Sequence, residues 1–214
     1  MKDLAIKSAR IIIFAKAPQP GFAKTRLIPA LGKEGAAELA QQMLLHTLHE
    51  AINAGIDQVE LCITPEINDA AWHDVQLPNG IVISDQGEGD LGARLARAVR
   101  RSAEQGQSVL LIGTDCVEMS AKLLHRAAQT LHEHDAVIHC TVDGGYALLG
   151  IRQFSPFLFS DMPWSTNAVA STTLARIRQL GWSVHIGKIL HDVDEPQDLK
   201  YILDQPATAG IPML

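Results

Sequence analysis

Short apolar runs alternate with amphipathic helical segments along most of this 214-residue sequence, and this alternation limits the available folds most strongly. The apolar runs predict seven strands, at 10–15, 59–63, 81–83, 109–112, 136–138, 147–151 and 182–186. Helical spacing and end signals predict five helices, at 34–54, 91–103, 120–132, 171–180 and 197–203. Strands that alternate with helices form right-handed crossovers, so the sequence predicts an α/β three-layer sandwich with a mostly parallel sheet.

One predicted strand departs from this alternation. The run 147–151 follows 136–138 too closely for a crossover helix, so we expect it to pair antiparallel through the turn Asp143-Gly144-Gly145. No internal repeat, low-complexity stretch or linker interrupts the chain. We therefore place residues 1–214 in a single domain.

Composition and charge exclude several classes of protein. Hydrophobic residues make up 47% of the chain and charged residues 20%, which is an ordinary globular composition. The net charge of −6 is spread without runs of one sign, and no apolar stretch approaches a membrane span. We expect neither a nucleic-acid nor a membrane partner. The cysteines Cys62, Cys116 and Cys140 lie far apart, which predicts reduced thiols in a cytoplasmic protein. A homo-oligomer is also consistent with the sequence.

Three cations are concentrated in one loop of this acidic protein. Lys16, Lys24 and Arg26 lie directly after the first predicted strand. Ligands of open α/β sheets bind beyond the carboxyl ends of the strands, and lysine and arginine suit phosphate oxygens. A P-loop is excluded, because Pro18 stands where its first glycine belongs and Ala23 precedes Lys24. The loop is either another kind of phosphate site or a solvated basic turn.

Glycines and carboxylates mark the ends of other predicted elements. The glycine-rich turn 87–92 enters a helix, where the backbone could approach a nucleobase or Asp90 could simply cap the helix. Asp115 follows the most apolar strand, and a carboxylate there needs a cation, hydrogen bonds or a metal ion. Helix capping is the alternative role for Asp115. In Asp192-Val193-Asp194, the alternation of a short strand would direct both carboxylates to one side.

Two further segments combine polar side chains with turns. Asp143-Gly144-Gly145-Tyr146 places an acid and a phenol at a tight turn, which is typical of a hairpin and could also lie beside a substrate. Trp164-Ser165-Thr166 is predicted to begin a helix. Its hydroxyl groups would either cap that helix or bind an acceptor.

Six motifs occur in a fixed order along residues 10–203. They are Lys16-x-Pro18-x-x-Gly21-x-x-Lys24-Thr25-Arg26-Leu27, Gly89-Asp90-Leu91-Gly92-x-Arg94-Leu95, Gly113-Thr114-Asp115-Cys116, Asp143-Gly144-Gly145-Tyr146, Trp164-Ser165-Thr166 and Asp192-Val193-Asp194. Together they resemble the selenodomain-associated transferases, a family with the glycosyltransferase-A-like, or Rossmann-like, fold of nucleotide-diphospho-sugar transferases. The phospholactate and molybdenum-cofactor guanylyltransferases are relatives of that family.

This resemblance implies a role for each motif. Nucleotide binding would fall to Lys16, Pro18, Gly21, Lys24, Thr25, Arg26, Gly89, Asp90, Leu91 and Gly92. Acceptor binding would fall to Gly144, Gly145, Tyr146, Trp164, Ser165 and Thr166. The family's metal ligands correspond to Asp115 and, in our interpretation, Asp194, which would hold Mg²⁺ or Mn²⁺. Relatives usually have proline after the cysteine, whereas Val117 follows Cys116 here, which bears on the rigidity of that loop.

We therefore expect a metal-dependent nucleotidyltransferase that joins a nucleotide donor to a small-molecule acceptor and releases pyrophosphate. The predicted catalytic residues that stabilise the phosphate charge are Lys24, Arg26 and Asp115, the last through the metal ion. Asp143 would orient the acceptor or act as a base. A glycosyltransferase that uses a nucleotide-sugar is the near alternative. A nucleotide-binding regulatory module without turnover is the distant one. The residues identify neither the base nor the acceptor.

Overall fold

The computed structural model describes residues 9–203, which form one seven-stranded sheet with helices on both faces. The strands are β1 Ala9–Lys16, β2 Gln58–Thr64, β3 Val82–Asp85, β4 Ser108–Ile112, β5 Ala136–Cys140, β6 Tyr146–Ile151 and β7 Val184–Ile186. The helices are α1 Ile28–Asn53, α2 Leu91–Glu104, α3 Ala121–Thr130, α4 Val169–Gln179 and α5 Lys200–Leu203. The predicted α/β class is confirmed.

The sheet is mostly parallel, with the order β3-β2-β1-β4-β6-β5-β7. β1 pairs in parallel with β2 and β4, β2 with β3, and β5 with β7. β6 runs antiparallel to both β4 and β5. The antiparallel hairpin predicted through residues 143–145 is therefore confirmed. The four junctions from β1 to β5 join parallel strands and so cross over, whereas α4 connects β6 to β7, which run antiparallel to each other.

The interior strand β1 shows why the fold has three layers. Ile11 and Ile13 of β1 pack into a core on one face of the sheet, with α1 and α3. Ile12 packs into a second core on the opposite face, with α2 and α4. All three isoleucines are fully buried, and burial of one such side chain contributes about 1.5–3 kcal/mol. Alternate residues of one apolar run thus hold helices on both sides of the sheet.

Three boundaries differ from the sequence-based prediction. The first helix begins at Ile28 and is broken at Gly32, whose φ of 74° interrupts the helical backbone. The helix predicted to start at Trp164 begins only at Val169, because Ser165 adopts a left-handed φ of 61°. Residues 192–194 follow an isolated bridge between Thr141 and Leu190 and do not form the predicted short strand.

A buried ion-pair network joins β1, β2, β3 and α2. The Arg10 guanidinium donates to Glu60 Oε2 at 2.7 Å, and Arg101 donates to Glu60 Oε1 at 2.5 Å. Ser84 Oγ adds a third hydrogen bond to Glu60, whose side chain is only 1% exposed. Burial opposes the charge of Glu60, but the bonds from Ser84, Arg10 and Arg101 outweigh it and lower the pKa of that carboxyl.

Two simpler expectations concern cysteines and membranes. The thiols of Cys62, Cys116 and Cys140 are all free, as predicted. Between residues 9 and 203, no helix combines the length and apolar character that a membrane span requires.

Candidate functional site

A cavity of about 550 Å³ opens at the carboxyl ends of the parallel strands. The loop after β1 supplies Lys24, Thr25 and Arg26 to its lining, and the end of β4 supplies Ile112 and Gly113. The β5–β6 turn, the segment before α4 and the stretch 192–194 complete the walls. Leu91 and Leu95 of α2 also line it, so six separate stretches of sequence meet where open α/β sheets bind their ligands.

Lys24 joins the first loop to the carboxylates of the cavity. Its ammonium donates to Asp115 Oδ1 at 2.5 Å, to the Val193 carbonyl at 2.6 Å and to Asp194 Oδ1 at 3.4 Å. The Lys24 backbone is left-handed, with φ 42° and ψ 47°, a conformation rare for residues other than glycine. Burial opposes its charge, but Asp115 and Asp194 outweigh that effect and raise the pKa of the ammonium.

Four carboxylates face the single ammonium of Lys24 in this region. Asp115 is about half exposed, and its backbone carbonyl accepts a bond from the Val193 N–H at 2.8 Å. Burial, followed by the charges of Asp115, Asp143 and Asp194, raises the pKa of Asp192 to about 7. Burial and Asp115 likewise raise the pKa of Asp194. This part of the site carries more negative charge than its own side chains neutralise.

Asp143 shapes the turn between β5 and β6 as well as lining the cavity. Its Oδ1 accepts bonds from the Gly145 N–H at 3.0 Å and from the Thr141 hydroxyl at 2.5 Å. Gly144 has a φ of 91°, and a Cβ there would lie 2.2 Å from the Asn167 carbonyl oxygen. The turn therefore requires glycine and presses against the start of α4. The hairpin role is thus present, and both of these bonds use Oδ1 of Asp143.

The segment before α4 forms the opposite wall. Thr166 Oγ1 donates to the Pro163 carbonyl at 2.7 Å and accepts a longer bond from the Ala168 N–H at 3.3 Å. The indole N–H of Trp164 is buried and has no hydrogen-bond partner among residues 9–203. A Cβ at Gly92 would lie 3.0 Å from this nitrogen, so the indole edge packs against the start of α2 while another part of Trp164 lines the cavity.

The glycine-rich turn 87–90 is fixed from below by two arginines of α2. Arg97 donates to the Gln86 and Glu88 carbonyls, and Arg94 donates to the Gly89 carbonyl at 2.8 Å. Asp90 caps α2 through a bond from the Ala93 N–H at 2.8 Å. The capping role proposed for Asp90 is therefore confirmed, and the turn itself lies outside the cavity lining.

The predicted site residues divide into two groups. Those that line the cavity are Lys24, Thr25, Arg26, Leu91, Asp143, Gly145, Tyr146, Trp164, Ser165, Thr166 and Asp194. Asp115 joins them through Lys24. Those outside the lining are Lys16, Pro18, Gly21, Gly89, Asp90, Gly92 and Gly144. Lys16 instead donates to the Phe22 carbonyl at 3.2 Å and shapes its own loop.

Sequence reasoning left two polar lining residues, Asp192 and Asn167, out of the predicted site. Asp192 was considered beside Asp194 and not chosen, although both carboxylates line the cavity. The alternation around the fully buried Val193 supports either residue equally. Asn167 follows Thr166 in the wall and was not considered at all. The sequence carries no signal for Asn167 beyond its position next to a predicted motif.

The chemistry of the cavity fits a hard divalent cation bound together with phosphates. Asp115 and Asp194 already hold one cationic group, the Lys24 ammonium, between them. Within the described part of the chain, no three carboxylate, imidazole or thiolate side chains form a complete metal site. Mg²⁺ commonly takes one or two protein carboxylates and completes its octahedron with water and substrate phosphates.

The fold and this site together define the class of α/β transferase folds that includes the nucleotidyltransferases and the nucleotide-diphospho-sugar transferases. Within that class, the chain belongs to the family described as "Uncharacterized protein conserved in bacteria (DUF2064)", whose model matches residues 47–166. No protein of curated function matches the chain in sequence.

Solved structures support the same class. A protein from Desulfovibrio desulfuricans G20, described as a candidate nucleotide-diphospho-sugar transferase, has a TM-score of 0.83 and 29% identity over 92% of this chain and 86% of that one. A nucleotidyl transferase from Methanothermobacter has a TM-score of 0.61 and 17% identity, covering 92% and 96% of the two chains. The manganese complex of Rv0371c from Mycobacterium tuberculosis has a TM-score of 0.58 and 17% identity, covering 93% and 100%. The last two likenesses concern the fold alone.

Proposed function

We propose that this protein is a nucleotidyltransferase that uses a nucleoside triphosphate with a divalent cation and releases pyrophosphate. The observation that carries this proposal is the Lys24 ammonium held by Asp115 and Asp194 beside Arg26 in one cavity. Cations for phosphate oxygens and carboxylates for a metal ion are thereby gathered at the ligand-binding edge of the sheet. The resemblance of the six motifs to selenodomain-associated transferases and guanylyltransferases agrees with this assignment.

Asp115 and Asp194 are the residues that would hold Mg²⁺ or Mn²⁺, with Asp192 close by. The bound ion would withdraw charge from the phosphate oxygens and favour departure of pyrophosphate. Support for a divalent ion comes from the manganese complex of the M. tuberculosis protein, which has a similar fold. It also comes from the grouping of Asp192 and Asp194 in the cavity lining, with Asp115 beside them on Lys24.

The side chains of the first loop would carry the phosphate chemistry. Lys24 and Arg26 would contact the β- and γ-phosphates and stabilise the charge that develops as the bond from the α-phosphorus to the leaving oxygen breaks. Thr25 lies between them and offers a hydroxyl to the same oxygens. Positioning and electrostatics carry most of the catalysis in phosphoryl-type transfer, so the site needs no covalent nucleophile of its own.

The opposite walls would bind the acceptor. Asp143 presents its remaining oxygen from the β5–β6 turn, where it could orient an acceptor hydroxyl or receive its proton. The rest of the acceptor would lie against Trp164, Ser165 and Thr166. The acceptor oxygen would then attack the α-phosphorus from the side facing away from the leaving pyrophosphate.

Glycosyl transfer from a nucleotide-sugar is the second candidate. The specific observation in its favour is the D. desulfuricans protein, which is 29% identical to this chain and is described as a candidate nucleotide-diphospho-sugar transferase. Both reactions would use the same cavity and the same carboxylates. They differ in the donor's phosphate count and in the bond that breaks.

A thermal-shift screen tests the proposal directly. The four nucleoside triphosphates and a panel of nucleotide-sugars are each added with Mg²⁺, with Mn²⁺ and with a chelator. We expect one triphosphate to raise the melting temperature in a metal-dependent manner, because a ligand that binds only the folded state stabilises it. Stabilisation by nucleotide-sugars alone would favour glycosyl transfer. Stabilisation without turnover across a broad acceptor panel would favour a regulatory module.

A further inference from the structure

A second cavity, of about 730 Å³, lies on the α1 and α3 face of the sheet, between α3 and the strands β5 and β7. It shares no lining residue with the cavity at the carboxyl edge. Its volume falls within the range of small-molecule sites. The two cavities are therefore separate, and the nucleotidyltransferase proposal assigns nothing to this one.

Two unpaired cations on α3 line this cavity. Lys122 and Arg126 lie one helical turn apart, and neither side chain has an acidic or hydrogen-bonding partner among residues 9–203. Like charges at this spacing repel each other along a helix. Lys188 adds a third cation from the loop after β7, although Glu118 lies 3.5 Å from it. Glu133, beyond the end of α3, is the carboxylate in the lining, so positive charge predominates in a protein of net charge −6.

His139 provides an independent observation that points to a ligand. It is buried to 91% and lines the cavity from β5. Its Nδ1 lies 3.0 Å from the Lys188 carbonyl, which can only accept, so Nδ1 carries the proton. Burial lowers the pKa of this imidazole, which is therefore neutral at neutral pH. Its Nε2 consequently presents a lone pair, and this atom has no hydrogen-bond partner within the described residues.

The backbone fixes the orientation of this imidazole. The ring packs against Gly187, where a Cβ would lie 2.2 Å from the His139 Cε1 atom. Only glycine leaves room for the ring at this position. The acceptor Nε2 and the cations of α3 are thus held on the walls of one cavity.

We propose that this cavity is a second ligand site for a small phosphorylated polyol. The cations Lys122, Arg126 and Lys188 match a phosphate group, because guanidinium and ammonium groups bind phosphate oxygens with charge-assisted hydrogen bonds. The neutral His139 Nε2 accepts a hydrogen bond, so it matches a hydroxyl group and not a phosphate oxygen. A ligand that carries both a phosphate and a hydroxyl group can bind the cations and His139 at the same time. This inference stands whether or not the first cavity performs nucleotidyl transfer.

The test uses the full chain and glycerol 3-phosphate as the probe, with inorganic phosphate and glycerol as partial probes. Binding is followed by NMR through the His139 ring signals. We expect saturable binding of glycerol 3-phosphate at millimolar concentration, weaker binding of phosphate and none of glycerol. Arg126→Gln should weaken the binding about tenfold, which is the effect of losing one charge-assisted contact. The matched change Arg178→Gln, on the exposed side of α4, should leave it unchanged.

Two further variants complete the test. Asp115→Asn should bind the probe as the wild type does, because Asp115 belongs to the other cavity. His139→Gln should reduce the preference for glycerol 3-phosphate over phosphate, and Arg126→Gln remains informative if that variant does not fold. Absence of saturable binding, equal losses in Arg126→Gln and Arg178→Gln, or equal binding of phosphate and glycerol 3-phosphate would overturn the proposal.

Discussion

Two charge clusters in this protein use the same kinds of side chain with opposite electrostatic balance. In the ion-pair network that joins β1, β2, β3 and α2, Arg10 and Arg101 donate hydrogen bonds to Glu60, and the pKa of Glu60 is lowered. In the cavity at the carboxyl edge, burial and neighbouring carboxylates raise the pKa of Asp192 to about 7. Burial acts against the charge of both Glu60 and Asp192, so burial alone does not explain the difference. The number of partner cations does.

This difference indicates that the Glu60 cluster is structural and that the carboxylates of the cavity are suited to bind a ligand. The Glu60 carboxylate is fully paired, because it meets two guanidinium groups and a hydroxyl. In the cavity, four aspartates face Lys24 and Arg26, and a bare polyphosphate would add more negative charge. Balancing the charge of these aspartates and of a bound polyphosphate would require positive charge from outside the protein. Under the proposed function, a divalent metal ion that arrives with a nucleotide would supply that charge.

The largest expected effect is on the structural cluster. Glu60→Ala leaves the Arg10 guanidinium buried without its carboxylate, and loss of one member of a buried pair typically lowers the free energy of unfolding by about 3–5 kcal/mol. Urea unfolding measures this change. The matched variant Glu38→Ala, on the exposed side of α1, should lie within about 0.5 kcal/mol of wild type. Equal stability of the two variants would contradict a structural role for Glu60.

The next effect concerns ligand binding at the other cluster. Asp115→Asn should weaken metal-dependent nucleotide binding by about a hundredfold or more, since even outer-shell changes weaken metal sites by about 10–100-fold. Titration calorimetry with and without Mg²⁺ measures the loss, and Asp74→Asn, at an exposed position, serves as the control. We expect the melting temperature to change little. An unfolded Asp115→Asn protein would instead indicate the structural role considered for this residue.

The cations of the first loop give a somewhat smaller effect. Lys24→Ala and Arg26→Ala should each weaken triphosphate binding by about 1.5–3 kcal/mol, and nucleoside binding should hardly change. Without nucleotide, Lys24→Ala should bind Mn²⁺ more tightly, because the ammonium no longer occupies Asp115 and Asp194. Arg178→Ala controls for the change in net charge. Equal losses for nucleoside and triphosphate would mean that the loop stabilises the fold and does not bind phosphates.

The smallest effect appears in the acid dependence of stability. The folded-state pKa of Glu60 lies below its ordinary value of 4.5, so the ionised carboxylate stabilises the folded protein above that pH. The contribution is lost as pH falls through the lowered folded-state value. We expect wild type to exceed Glu60→Gln in stability at neutral pH, and the gap to close in acid. Urea unfolding across this range measures the gap, and a constant difference would contradict the assignment.

The sequence predicted the fold well because its signals are local. Runs such as 109–112 are apolar on both faces, and the short spacing before 147–151 identified the antiparallel strand correctly. Helix starts were less predictable, since the left-handed backbone at Ser165 depends on packing around the turn before α4. Gly32, with a φ of 74°, separates the helix predicted at 34–54 from an additional short helical segment that begins at Ile28.

The candidate site was predictable residue by residue but not as an arrangement. Lys24 and Asp115 were both identified from position and type, but their 2.5 Å contact joins residues far apart in sequence. The role of Asp192 depends on the charges of Asp115 and Asp143, which only the folded chain brings near. Glu60 was passed over within an apolar strand, although a charge in a buried run signals a buried partner.

The central claim is tested most directly by identifying the product that leaves the donor. The protein is incubated with Mg²⁺, a panel of phosphorylated and hydroxylated acceptors, and either the triphosphate found in the binding screen or the matching nucleotide-sugar. We predict release of pyrophosphate from the triphosphate, and tighter binding of the triphosphate than of the nucleotide-sugar, because Lys24 and Arg26 suit the additional phosphate charge. Release of nucleoside diphosphate and free sugar from the nucleotide-sugar, with no pyrophosphate from any triphosphate, would contradict nucleotidyl transfer.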